Sequence, residues 1–288
     1  TELLRKVRRI QIRTSHRVSD ALAGQYHSAF KGRGMQFEEV RPYLPGDDVR
    51  SIDWNVSARF GEPFIKLFRE ERELTVVIAA DLSASESFGT RSQLKRDLVA
   101  EIGATLAYSA IRNNDKVALL LFTDRVERYL PPRKGPRHVL RVLRDLVAYE
   151  PMRRGTALGH ALEELNRIVR RRSVVFLLSD FLDDGYESPL RIARSRHDLI
   201  PVVVSDRHEL ELPPVGIVEF RDPESGRTFF ADTSSRRFRN RYAELVARRR
   251  ERRDRLFRAV RCEPIEVRTG EDIVGPLTRY FRRRERRP

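Results

Sequence analysis

Residues 75–85 read Thr75-Val76-Val77-Ile78-Ala79-Ala80-Asp81-Leu82-Ser83-Ala84-Ser85. The first part is a short, continuous apolar run rich in β-branched residues, which is typical of a buried parallel strand. In an open α/β sheet, binding sites lie beyond the carboxyl ends of such strands. Asp81, Ser83 and Ser85 follow the run at that position. Their carboxylate and hydroxyl oxygens suit Mg²⁺ or Mn²⁺ better than zinc.

Two later segments add oxygen donors of the same kind. Thr156 precedes a helical pattern, and Asp180 follows a second apolar run at 174–179. Because parallel strands joined by crossover helices end at one edge of the sheet, the three loops are expected to meet there. The sequence therefore predicts one site for Mg²⁺, with Mn²⁺ or Ca²⁺ as alternatives. Its predicted ligands are Asp81, Ser83, Ser85, Thr156 and Asp180.

The order of these elements resembles the metal-ion-dependent adhesion site of the von Willebrand factor A fold. The resemblance implies a doubly wound, mostly parallel α/β sheet with helices on both faces. Each residue also has a structural alternative, since Ser83, Ser85 and Thr156 suit helix N-caps and Asp180 suits a turn. We favour the joint metal site because three separate elements coincide with two strand ends and one helix start.

A second resemblance rests on the segment that runs from Gly32-Arg33-Gly34-Met35-Gln36-Phe37 to Pro45-Gly46-Asp47-Asp48-Val49-Arg50-Ser51-Ile52-Asp53-Trp54. It is similar to the signature of a bacterial family known as domain of unknown function 58, and Ser57-Ala58-Arg59 extends the match. The resemblance implies a MoxR-type AAA+ ATPase as partner and an adaptor or co-chaperone role. One departure is Glu86-Ser87, where many A domains carry a hydrophobic residue; it alters the loop but leaves the predicted ligands intact.

The pattern along the chain predicts three regions. Residues 1–34 form a basic helical segment, and residues 35–73 together with 216–232 form a small β-rich subdomain rich in aromatic and turn residues. Residues 74–215 and 233–288 form the A-type domain. Within its long basic helix, at about 234–259, Phe238, Tyr242, Leu245 and Val246 are expected to face inward. Trp54 is expected to anchor the core. The acids Asp47, Asp48 and Asp53 are expected to form structural ion pairs with their neighbours Arg41, Arg50 and Arg59.

Composition limits the environment and the partners. The chain has 288 residues, a formal net charge of +15 and one cysteine, Cys262. A single cysteine allows no internal disulfide, and the start lacks the pattern of a signal peptide, so we predict a cytoplasmic location. The basic ends suit contact with an anionic membrane. They argue little for nucleic acid, because the excess of arginine over lysine resembles the bias of a GC-rich genome.

Three functions fit these observations. The first is a non-enzymatic, metal-dependent adaptor whose ion accepts a carboxylate from a protein partner. The alternative is a metal-assisted hydrolase of phosphate esters or nucleic acid, for which Glu86 and Asp183 are the nearby acids. A scaffold at the membrane surface is the third. The chain has no Gly-Lys-Ser/Thr phosphate loop and no histidine spacing typical of zinc sites, and we predict the adaptor.

Overall fold

A computed structural model describes residues 10, 20–30, 36–69, 73–90, 93–153, 155–221 and 226–286. The strands are β1 Gln36–Pro42, β2 Phe64–Arg69, β3 Thr75–Asp81, β4 Gly89–Thr90, β5 Gln93–Leu94, β6 Lys116–Phe122, β7 Val126–Arg133, β8 Val174–Ser179, β9 Asp198–Ser205, β10 Ile217–Arg221, β11 Thr228–Asp232 and β12 Ile265–Arg268. The helices are α1 Asp20–Phe30, α2 Trp54–Phe60, α3 Lys95–Arg112, α4 Pro136–Ala148, α5 Leu158–Ile168, α6 Glu187–Arg196, α7 Arg207–Leu210, α8 Arg236–Ala259 and α9 Val274–Glu285.

A six-stranded sheet forms the centre of the fold, in the order β12-β9-β8-β3-β6-β7. The contacts between β3, β6, β8, β9 and β12 are parallel, and β7 runs antiparallel to β6 at the edge. The chain starts the sheet at β3, moves outward to β7, and returns to the other side of β3 with β8. This reversal makes the sheet doubly wound and creates a crevice at the carboxyl ends of β3 and β8.

Helices cover both faces of this sheet, because alternate residues of each strand point to opposite sides. Val76, Ile78 and Ala80 belong to a core shared with α1, α3, α4 and α9. Val77 and Ala79 belong to a second core shared with α5, α6 and the end of α8. The predicted von Willebrand factor A-like α/β fold, with a mostly parallel sheet between two helical layers, is confirmed.

The N-terminal prediction is only partly within the described residues. Residues 1–9, 11–19 and 31–35 lie outside them, while α1 packs on the main core through Leu22, Tyr26 and Phe30, all buried. The Tyr26 hydroxyl donates a hydrogen bond to Asp115 Oδ2 at 3.0 Å. In its described part the segment 1–34 is therefore packed into the A-type domain.

The two strand pairs outside the central sheet form separate two-stranded sheets. β1 pairs with β2, and β10 pairs with β11, both antiparallel. No ladder joins the two pairs in the residues that the structure describes. The expected β-rich subdomain from 35–73 and 216–232 thus contains two separate strand pairs, of which β10–β11 is a hairpin. The division of the chain into domains stays a prediction.

Two expectations about apolar side chains are wrong. Leu245 of α8 is 53% exposed, and Arg253 and Phe257 are the residues that this helix buries. Trp54 is 69% exposed, because it starts the short helix α2 on the surface rather than entering the core. Both errors have one cause. The sequence shows that a residue is apolar, but it does not show whether another part of the chain covers that residue.

Two acids of the signature segment form ion pairs: Asp47 pairs with Arg41 as expected, whereas Asp53 pairs with a lysine of β2. Both oxygens of Asp47 accept hydrogen bonds from the Arg41 guanidinium at 2.8 Å. Asp53 pairs with Lys66 at 3.0 Å and also accepts a hydrogen bond from Asn55 N at the start of α2. These acids therefore hold turns and a helix start in place.

Among the described residues, every helix is too short or too polar to cross a membrane.

Candidate metal centre

Strand register places Asp81, the first predicted ligand, at the edge of the sheet where β3 and β8 end. Ala80 of β3 pairs with Leu178 of β8, so Asp81 and Ser179 lie side by side where the two strands end. The Ser179 hydroxyl donates a hydrogen bond to Asp81 Oδ2 at 2.9 Å, and Ser83 N donates to Asp81 Oδ1 at 2.8 Å. The Asp81 carboxylate is fully buried and fixed by these two donors.

The two serines of the motif turn back toward each other. Ser83 Oγ and Ser85 Oγ are 3.1 Å apart, at the start of a short 3₁₀ turn over Ala84–Ser87. The Ser83 hydroxyl does not cap this turn, so the simple capping alternative does not apply to it. Ser83 is buried and Ser85 is half-buried, and both hydroxyl groups lie on the loop that leaves β3.

Asp180 lies one residue beyond β8 and points into the same region. Its Oδ1 accepts a hydrogen bond from Leu182 N at 3.1 Å, which also shapes the turn that follows. One ligand-type oxygen from each of Asp81, Glu86 and Asp180 lies within 4.8 Å of the others. The structure therefore brings Asp81 and Asp180 together as the sequence predicted, and adds Glu86.

Thr156 lies on the third loop, in the position that precedes α5. The neighbouring Ala157 N donates to Thr123 O at 3.2 Å, which ties the loop to the end of β6, the other neighbour of β3. Ala157 is the N-cap residue of α5, and Asp183 Oδ2 accepts from Leu158 N at 2.7 Å. Thr156 is thus half-buried at the same sheet edge but is not the helix cap.

Glu86 is the most unusual side chain of the cluster. It is 1% exposed, and neither of its carboxylate oxygens has a hydrogen-bond partner among the described residues. A buried carboxylate without a partner is costly unless a cation or a proton compensates it. Its place beside Asp81 and Asp180 therefore indicates that a positive group belongs there.

A lysine supplies part of that charge. The Lys95 ammonium lies 2.8 Å from Asp180 Oδ2 and 2.7 Å from Glu209 Oε1, and its side chain is fully buried. With Asp81 and Glu86, the cluster holds four carboxylates around one ammonium. One ammonium balances one ionised carboxylate, so the other acids of the cluster need protons or a further cation.

Burial in this acidic cluster raises the pKa values of two of its carboxyl groups, Asp81 and Glu86. Burial, reinforced by the nearby Asp180 carboxylate, raises the pKa of Asp81 to about 7. Burial also raises the pKa of Glu86 well above its ordinary value, although the Lys95 ammonium opposes the shift. Without a metal ion, protonation of Asp81 and Glu86 would neutralise part of this cluster, so a cation and protons compete for these carboxylates.

This donor set fits a divalent cation. Carboxylate and hydroxyl oxygens from Asp81, Ser83, Ser85 and Asp180 are hard ligands of the type that Mg²⁺, Mn²⁺ and Ca²⁺ take. The buried Glu86 carboxylate, which has no hydrogen-bond partner among the described residues, adds a further oxygen donor that a cation would satisfy. With all four carboxylates ionised, a divalent cation and the Lys95 ammonium together would leave a net charge of one negative unit in the cluster.

Sequence reasoning treated Glu86 as a change in the loop and overlooked both Lys95 and Glu209. A lysine at the first position of a helix is unfavourable next to the positive end of the helix dipole, and this could have signalled acidic neighbours. Asp206 and Glu209 have the spacing of a capping box, and the structure forms it. No local pattern, however, shows that Glu209 reaches Lys95 across more than a hundred residues.

An apolar groove of about 820 Å³ begins at this centre. Ser85, Asp180 and Glu209 line one end. The β10–β11 hairpin and α8 line much of the remainder, with Phe220, Phe229, Tyr242, Leu245 and Val246 among the lining residues. Three of the four α8 residues that were expected to face the core, Tyr242, Leu245 and Val246, thus line this groove.

Comparison with known proteins gives the family but no activity. The chain matches the family described as "Protein of unknown function DUF58" over residues 39–252. Uncharacterized protein Rv1480 of Mycobacterium tuberculosis is 30% identical over 290 residues, which cover 99% of this chain and 90% of the relative. Uncharacterized protein YeaD of Bacillus subtilis is 24% identical over 194 residues, 65% of this chain and 43% of that protein.

Solved structures give more distant likenesses. BatB from Bacteroides thetaiotaomicron is 15% identical, covers 74% of this chain with all of its own, and has a TM-score of 0.48. The SpRpn10 VWA domain is 11% identical over 73% of this chain and 95% of its own, with a TM-score of 0.38. The family match spans well over half of the chain and agrees with the signature segment before β3. The chain therefore belongs to the family of proteins of unknown function DUF58.

Proposed function

We propose that this chain is a metal-dependent protein-interaction module without catalytic turnover. Asp81, Ser83, Ser85, Thr156 and Asp180, joined by Glu86, would hold the cation, directly or through water. Mg²⁺ is our first choice, with Mn²⁺ or Ca²⁺ as alternatives. The cation would supply a coordination position for a carboxylate of the partner, giving a charge-assisted contact that neither protein makes alone.

One observation carries this proposal: the buried Glu86 carboxylate has no partner among the described residues and lies within the Asp81–Asp180 cluster. Acidic clusters on protein surfaces are common without a metal, but a buried one with an unpartnered member is not. The cation therefore has a structural reason to be bound, independent of any family resemblance.

The groove supports a protein as the partner. Its apolar lining, next to a cation that accepts carboxylates, matches a peptide segment with an acidic residue beside apolar side chains. We propose a MoxR-type AAA+ ATPase as the first candidate partner, on the resemblance of the signature segment, with a role in complex assembly or chaperone-like maturation in the cytoplasm. Contact of the basic surface with an anionic membrane is secondary to this role.

The hydrolase alternative has less support. It needs an acid free to activate water near the cation. Asp183, one of the two acids considered for this task, accepts the hydrogen bond of Leu158 N at the start of α5. Glu86, the other, is buried inside the cluster and is better explained as a ligand.

A binding experiment with purified proteins tests the proposal. The full chain is titrated with the MoxR-type ATPase of the same organism, in Mg²⁺ and then in EDTA, and again with the Asp81→Asn variant. We expect binding in Mg²⁺ only, and none with the variant. Equal binding in EDTA would remove the metal from the mechanism, and phosphodiester cleavage by the wild type that is lost in Asp180→Asn would favour the hydrolase.

A charge placed in the groove should weaken the same complex. Leu245→Asp puts a carboxylate on the apolar wall, and we expect the Kd for the partner to rise about tenfold or more, because a buried charge without a partner opposes binding. The matched control is Ile192→Asp on α6, since Ile192 is similarly exposed at 49% but does not line the groove. Surface plasmon resonance in Mg²⁺ measures both; equal Kd values for the two variants would place the partner elsewhere.

A further inference from the structure

The Lys95 ammonium is a positive charge inside the proposed metal centre, where it would compete with a metal ion for the same carboxylates. It is the first residue of α3, its side chain is fully buried, and its ammonium bridges Asp180 and Glu209. Two carboxylates at ion-pair distance, 2.8 Å for Asp180 and 2.7 Å for Glu209, favour the charged form of this ammonium. Lys95 therefore carries its charge inside the proposed metal centre.

The ammonium is anchored from the side of α7. Asp206 N donates to Glu209 Oε2 at 3.0 Å within the capping box, which leaves Oε1 for Lys95. The Tyr242 hydroxyl of α8 donates to Glu209 O at 2.9 Å. Glu209 thus has a fixed position, and it holds Lys95 whether or not Asp180 is engaged by another cation.

We propose that Lys95 is a built-in competitor of the divalent cation: its ammonium neutralises Asp180 in the metal-free protein and lowers the affinity of the centre for metal. The inference rests on the proposed metal site and concerns its regulation. With this competition, a centre of four carboxylates would bind its metal weakly enough for the ion to exchange with solution. The site then fills at raised metal concentration and empties when the concentration falls.

Two effects of removing Lys95 oppose each other. A residue that contacts a metal ligand and orients it supports metal binding. Loss of such a residue typically lowers the affinity for the metal by about 10- to 100-fold. However, Asp180 keeps the hydrogen bond from Leu182 N without Lys95, so much of its orientation persists. Repulsion between an ammonium and a divalent ion that share one carboxylate is strong in a buried site, because water screens it poorly there. The loss of repulsion should therefore dominate.

Titration with Mn²⁺, followed by calorimetry and by its electron paramagnetic resonance signal, tests the inference. We expect Lys95→Met to bind Mn²⁺ at least tenfold more tightly than the wild type. Lys66→Met is the matched control, since Lys66 pairs with Asp53 outside the centre, and its affinity should equal that of the wild type. Unchanged or weaker binding by a folded Lys95→Met would overturn the inference while leaving the metal site in place.

A second variant covers the case in which Lys95→Met does not fold. Glu209→Gln weakens the anchor, so the ammonium turns to Asp180 alone, and Mn²⁺ affinity should fall several-fold. In protein that also carries Lys95→Met, the same Glu209→Gln change should lower the Mn²⁺ affinity by a smaller factor, because Glu209 affects the metal through the Lys95 ammonium. Equal effects in the two backgrounds would contradict the inference. Absence of Mn²⁺ binding in the wild type and every variant would instead reject the proposed metal site itself.

Discussion

Asp81→Asn is expected to abolish binding of Mg²⁺ while the fold remains intact. The amide keeps the shape of the carboxylate and an oxygen for the Ser83 N hydrogen bond, but it removes the charge that a cation requires. With Mg²⁺ at about 100 times its Kd, binding stabilises the wild type by about 2.7 kcal/mol, or roughly 5–10 °C in Tm for a domain of this size. The variant should show no such shift in a thermal unfolding scan.

The metal-free comparison provides a second check on the same variant. Burial and Asp180 raise the pKa of Asp81, so the ionised carboxylate is unfavourable without a cation. In EDTA, Asp81→Asn should therefore unfold at the same temperature as the wild type or higher. Glu163→Ala is the control, since Glu163 is exposed on α5. A Mg²⁺-dependent rise in Tm for Asp81→Asn equal to that of the wild type would place the cation elsewhere.

The parts of the site that lie on strand ends could be predicted from sequence. The apolar runs before Asp81 and Asp180 fix two parallel strands, and the doubly wound order makes them neighbours, with Ala80 opposite Leu178. Local spacing then places Ser83 close to Asp81. These relations depend on strand periodicity and on one topological rule, both of which a single sequence carries.

The charge around these ligands could not be predicted in the same way. Glu86 was visible as a departure in the loop, but its burial without a partner depends on how the 3₁₀ turn packs. Lys95 and Glu209 are far apart in sequence and meet only because α3 and α7 approach the same sheet edge. Long-range ion pairs have no sequence period, so the cation within the centre is evident only from the structure.

Phe281→Ala is expected to lower the free energy of unfolding by about 3–5 kcal/mol, the usual cost of emptying a buried aromatic site. Phe281 of α9 is fully buried, and its ring centroid lies 5.8 Å from that of Tyr26 and 5.7 Å from that of Phe30. Urea unfolding measures the loss. Phe230→Ala, at a side chain that is 70% exposed, should change stability by less than about 0.5 kcal/mol.

The same variant tests whether α1 is part of the A-type domain or an appendage to it. Arg284 lies over the Phe30 ring at 4.5 Å and donates a hydrogen bond to Ala29 O, so α9 contacts α1 through both apolar and polar groups. If α1 belongs to the core, Phe281→Ala should speed amide hydrogen exchange in residues 20–30 as much as in α9, and Phe30→Ala should be less than additive with it. Unchanged exchange in α1 would mean that other contacts, such as the hydrogen bond from Tyr26 to Asp115, hold this helix on the domain without Phe281.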